Sequence, residues 1–140
     1  MDFYSDLMDR INAGSHFALR SGVTVTKLQG REAEGVLEVG HDQYNPMGIV
    51  HGGALVTLAD TVAGCAAFTC GRVCVTLDCS FQFLASTSGS RITCRATPRK
   101  LGRTILVYDT LLTDEDGRAV ASGTFTFFAK ETPVEEASFR

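Results

Sequence analysis

The apolar positions of this chain trace a short helical period, two strand periods, one long apolar stretch and four further strand periods. Phe3, Leu7 and Ile11 recur at fourfold spacing before Asn12-Ala13-Gly14, which predicts a short amphipathic N-terminal helix. Val23-Thr24-Val25-Thr26 and residues 35–39 alternate on either side of Gln29-Gly30-Arg31, predicting two paired strands. From residue 52 to about 68, Ala, Leu and Val occupy nearly every face of a helical wheel, so this helix must be buried almost all round. Beyond it Val73, Val75, Leu77, Cys79, Phe81 and Phe83 alternate with Cys74, Thr76, Asp78, Ser80 and Gln82, the cleanest strand pattern of the chain. Ile92, Cys94 and Ala96 continue the alternation, and apolar segments 104–112 and 118–128 flank Asp114-Glu115-Asp116-Gly117, whose Asp-Gly pair marks a hairpin turn. This order predicts an α+β fold: an antiparallel six-stranded sheet wrapped around one long central helix, plus the short N-terminal helix. Neither repeats nor an internal boundary are visible, so residues 1–140 are expected to form one domain, with a core of about 17–130 and a loose polar tail over 131–140.

Composition narrows the function classes. The 140 residues are 44% hydrophobic and 21% charged, enough for one core. A net charge of −3 without a long Lys/Arg run argues against nucleic acid or an anionic membrane as partner. The N-terminus has no basic segment followed by an apolar one, so a cytoplasmic protein is expected. Residues 54–70 are too few and too polar, with Asp60 among them, to span a membrane. Five cysteines are an odd number, which argues against a disulfide framework and for buried thiols. They lack a CxxC pair or a nearby histidine, so neither a metal site nor a cofactor is expected. His16 and His41 read as surface or loop residues.

Chemistry concentrates in Asn45-Pro46-Met47-Gly48-Ile49-Val50-His51-Gly52-Gly53 and in Asp60, the only charge of the apolar helix. Backbone N–H groups at a helix N-terminus offer hydrogen bonds and partial positive potential to a carbonyl that gains negative charge. Gly52 and Gly53 have no side chain to keep such a carbonyl away, and Asn45 and His51 can add donors or order the loop. A buried, unpaired Asp60 would cost several kcal/mol, so it is either hydrogen-bonded structurally or retained for function. Nine residues separate His51 from Asp60, roughly 13 Å of helix axis and about 900° of rotation, so the two face opposite sides. Two chains related by a twofold axis could join Asp60 of one to Asn45, His51 and Gly52 of the other. The spacing therefore predicts an obligate homodimer with shared active sites.

The Asn-x-x-Gly-x-x-His-Gly-Gly segment followed by Ala54-Leu55-Val56-Thr57-Leu58-Ala59-Asp60 resembles hotdog-fold acyl-CoA thioesterases of the phenylacetic-acid-degradation type. The likeness extends, more weakly, over residues 17–130. It implies that Asp60 activates water or attacks the carbonyl itself, that the Gly52 N–H polarises the thioester carbonyl, and that Asn45 and His51 position thioester and water. It further implies that Thr76 helps to hold the water near Asp60, and it favours a dimer of dimers. Pro98-Arg99-Lys100-Leu101-Gly102-Arg103 places three cations on an expected turn, and for an acyl-CoA substrate Arg103 and Lys100 are the candidate phosphate contacts. A hotdog-fold acyl-thioester hydratase or dehydratase and a non-catalytic acyl-CoA binding module are the alternatives. Phe68, Phe81, Phe83 and Tyr44 could line an acyl pocket or belong to the core, so the acyl group stays open.

Overall fold

The computed structural model describes residues 2–139. Helix α1 (Phe3–Ile11) buries Leu7 and Ile11, and Asp2 caps its N-terminus by accepting a bond from the Ser5 amide at 2.8 Å. The Asn12 side chain then acts as a strand neighbour, donating to the Val25 carbonyl at 2.7 Å and accepting from its amide at 3.0 Å. A four-residue helix, α2 (Phe17–Arg20), follows; it carries no periodicity long enough to be read from the sequence.

Strands β1 (Val23–Gln29) and β2 (Glu32–Glu38) pair around Gly30-Arg31, whose φ values of 60° and 69° are those of a two-residue I′ hairpin turn. The central helix α3 (Gly52–Phe68) comes next, then β3 (Arg72–Phe83), β4 (Arg91–Leu101), β5 (Ile105–Thr113) and β6 (Ala119–Pro133). All neighbours are antiparallel, in the order β1-β2-β4-β5-β6-β3. The helix packs against every strand, with Leu58, Ala59, Val62, Ala63, Ala66 and Ala67 fully buried. Gly35 permits a close approach of β2 to the helix: a Cβ there would lie 2.5 Å from Val62 Cγ2 and 2.9 Å from the Thr24 carbonyl oxygen.

The six-stranded sheet, central helix and N-terminal helix match the expected architecture, with two local differences. Arg99 and Lys100 stand on β4 rather than on a turn, because β4 continues past Pro98 through a register shift between Pro98 and Lys100 that accommodates the missing amide hydrogen. Residues 131–139 are not the loose tail expected. β6 runs to Pro133, Val134 is fully buried, Phe139 stacks on Phe68 with ring centroids 5.5 Å apart, and the Arg10 guanidinium lies over the Phe139 ring. Few apolar residues anchor this segment, too few for a period.

Among the described residues, strand β3 forms one border of the sheet and pairs only with β6. Its outer edge is open over twelve residues and exposes Val75, Leu77 and Phe83.

Candidate active site

The loop before α3 is fixed by Asn45. Its Oδ1 accepts from the amides of Met47 at 2.9 Å and Ile49 at 3.3 Å, and its backbone pairs with Ile49 and Gly48. Gly48, at φ 79°, supplies the left-handed turn. His51 is the N-cap: its Nδ1 accepts from the Gly53 amide at 2.7 Å and its carbonyl accepts from the Ala54 amide at 2.9 Å. A neutral His51 ring therefore carries its proton on Nε2. Between these satisfied groups the Gly52 N–H has no hydrogen-bond partner among the described residues. Gly52 and Asn45 line a cavity of about 290 Å³ with Ile49, Leu55 and Phe83. A Cβ on Gly52 would come within 3.0 Å of the Phe83 ring.

Asp60 lies two turns further along α3 and lines a different cavity of about 350 Å³. Its Oδ1 accepts from the Thr76 hydroxyl at 2.7 Å, so β3 and α3 present one carboxylate and one hydroxyl together. The remaining wall is mostly apolar, including Phe68, Cys65, Phe127 and Phe139. Burial, and then the Asp60 charge, push the Cys65 thiol up to about 12, which leaves it protonated beside the carboxylate.

The two cavities share no lining residue, as the opposed faces of His51 and Asp60 predict. Asn45 and Gly52 line one cavity, with the exposed His51 beside Gly52 but outside that lining; Asp60 and Thr76 line the other, and one chain does not join the groups. Lys100 and Arg103 are exposed on and just after the end of β4. They lie toward Asp60's end of the sheet: Leu101 pairs with Leu106, Leu106 with Phe127 and Phe127 with Thr76. Arg72 joins them by donating from Nη2 to the Arg103 carbonyl, whereas Arg99 is engaged by Asp109 at 2.7 Å.

His16, read as a surface or loop residue, lines the Asp60 cavity, and its Nε2 stands 2.6 Å from the Ile11 carbonyl oxygen. Its position depends on the turn between α1 and α2, where Asn12-Ala13-Gly14 marks the end of α1 but not the direction that the chain then takes. Among the described residues no cluster of three or more His, Cys, Asp or Glu side chains could hold a metal ion. No helix among them is long and apolar enough to cross a membrane.

The thioesterase superfamily profile matches residues 47–121, from the loop before α3 into β6 and more than half of the chain. The chain belongs to the thioesterase superfamily. A Haemophilus influenzae relative, named provisionally as an esterase, is 31% identical over 100 residues that span 69% of this chain and 72% of that protein. Among solved structures, a variant of the phenylacetic acid degradation protein PaaI from Thermus thermophilus is 31% identical with a TM-score of 0.75, covering 80% of this chain and 96% of that one. A hypothetical thioesterase of Streptococcus pneumoniae, solved with coenzyme A, is 28% identical with a TM-score of 0.75, covering 79% and 88%. The superfamily match, the esterase-named relative and the thioesterase and PaaI neighbours together make this chain a PaaI-like hotdog protein and a thioester hydrolase.

Proposed function

We propose that this chain hydrolyses acyl-CoA thioesters at two composite sites, each completed by two copies of the chain. The observation that carries the reading is the unpartnered Gly52 N–H at the start of α3, set in a different cavity from the Asp60–Thr76 pair. In a shared site the thioester carbonyl oxygen accepts from the Gly52 N–H of one copy, where the helix terminus favours the negative charge that develops there. Asp60 of the other copy takes a proton from water, whose oxygen attacks the carbonyl carbon. The C–S bond breaks, the proton passes to the departing thiolate, and a carboxylic acid and CoA leave. Direct attack by Asp60, followed by hydrolysis of the anhydride, gives the same products.

Thr76 holds Asp60 by donating to Oδ1, which leaves Oδ2 for the water. Asn45 and His51 keep the loop in the form that frees the Gly52 amide, and the His51 Nε2–H adds a donor. The CoA seen with the Streptococcus pneumoniae relative supports a CoA ester as substrate, and Lys100 and Arg103 are the cations proposed to meet its phosphates. The open edge of β3, with its exposed Val75, Leu77 and Phe83, suits pairing with a second copy, and a dimer of dimers is the assembly proposed.

A panel of aromatic, short-chain and medium-chain acyl-CoAs with a thiol reagent tests this. The wild type should release CoA, and Asp60→Asn should lose at least about a hundredfold in rate, as expected when a general base is removed, while still binding substrate. Binding without release by the wild type would instead indicate an acyl-CoA binding module, and formation of a hydrated or unsaturated acyl product would indicate hydratase or dehydratase chemistry.

A further inference from the structure

At the far end of α3 from Gly52, two thiols face each other. Cys70 Sγ lies 3.6 Å from Cys74 Sγ across the turn that leads into β3. Cys70 is half-buried, whereas Cys74 is buried and forms part of the wall of the Asp60 cavity. Gly71, at φ 89°, gives the turn between them its left-handed bend. Two guanidinium groups serve this corner. Arg31 reaches it from the β1–β2 hairpin, its Nε donating to Thr69 Oγ1 at 2.8 Å, while its Nη2 is buried with no hydrogen-bond partner among the described residues. Arg72, the first residue of β3, follows the turn directly. A buried guanidinium nitrogen without an acceptor is costly, and a neighbouring anion would relieve it.

We propose that Cys70 and Cys74 are a dithiol modification site, in which Cys70 reduces a hydroperoxide and the pair closes to an intramolecular disulfide. The Cys70 thiolate attacks the terminal peroxide oxygen and the O–O bond breaks. Cys70 becomes a sulfenic acid, and the departing alkoxide takes up the thiol proton as an alcohol. Cys74 sulfur then attacks the Cys70 sulfur, the S–O bond breaks, and hydroxide leaves with the Cys74 proton as water. Two thiols are oxidised by two electrons and one peroxide is reduced. The sulfurs must approach by roughly 1.5 Å to reach disulfide bonding distance.

The division of labour follows from the surroundings. The hydrogen bond from Cys74 draws the Cys70 thiol well below its ordinary range; partial burial opposes this, while the Arg72 backbone and the charges of Arg72 and Arg31 assist. The same hydrogen bond, with burial, pushes Cys74 up, so it keeps its proton until Cys70 has been oxidised. Closure would tie a wall residue of the Asp60 cavity, two positions before Thr76, to the turn.

Trypsin cuts after Arg31, Arg72 and Arg91, so a Cys70–Cys74 bridge joins peptide 32–72 to peptide 73–91. The native protein is treated with a few equivalents of hydrogen peroxide, alkylated and digested without reduction. Fragmentation of the joined pair should place the link at Cys70 and Cys74, and it should vanish after dithiothreitol. In Cys74→Ser, dimedone should label Cys70, with no second thiol to resolve the sulfenic acid. Oxidation of the exposed Cys79 ahead of this pair, or recovery of Cys70 and Cys74 fully alkylated, would overturn the proposal on the wild type alone, whatever the variants do. This readout is independent of thioester hydrolysis, so the dithiol and the hydrolase reading fail separately.

Discussion

Asp60 illustrates how one side chain gathers its meaning from neighbours that the local sequence does not show. Its lone charge in an apolar helix already marks it, but only the structure places the Thr76 hydroxyl 2.7 Å from its Oδ1. A hydrogen bond to a charged group contributes about 1.5–3 kcal/mol, so Thr76→Val should lower kcat by at least about tenfold. Thr76→Ser should stay near wild type, and steady-state kinetics on one acyl-CoA checks both. Lys100→Ala with Arg103→Ala should raise KM for acyl-CoA more than for a short pantetheine thioester; equal effects would remove both cations from the phosphate contacts. Asn45, His51, Gly52 and Asp60 stand out in the sequence as candidates because each is chemically out of place in its segment. His16 and the Cys70–Cys74 pair do not, because their neighbours arrive through turns and tertiary approach.

At the scale of elements, periodicity carried most of the fold. α3 and β3 were readable because seventeen and twelve residues hold their patterns. α2 is too short for a period, and β4 runs through Pro98 only because a bulge removes the need for its amide. Burial on β3 was also beyond the sequence: alternation suggested one covered face, yet Val75, Leu77 and Phe83 are exposed on a bordering strand. At the junction of α3 with β2, Gly35 leaves room for Val62 that no larger residue would. Gly35→Ala should cost about 1–3 kcal/mol by overpacking Val62, measured as a lower midpoint in urea unfolding. Val62→Ala in the same background should recover part of that loss if the clash is the cause.

For the whole molecule the decisive geometry is the separation of the Gly52 and Asp60 cavities. If each site draws on two copies, Asp60→Ala and His51→Ala chains are each inactive as homodimers. Their heterodimer holds one intact site and one doubly defective site. Random reassortment of equal amounts should therefore restore about a quarter of the wild-type rate, because half the dimers are mixed and half their sites are intact. No recovery in heterodimers verified by mass spectrometry would confine each site to one chain.

The open border of β3 has a consequence for the newly made chain. If β3 pairs with a second copy, a nascent protomer carries, until that encounter, a twelve-residue strand edge with apolar side chains and unmet backbone groups. Correct pairing and indiscriminate pairing then compete for one surface, and the two respond differently to crowding and temperature. Recovery of soluble protein from cells should thus depend on synthesis rate as well as on the stability of the finished fold, with slower, cooler expression favouring the productive encounter.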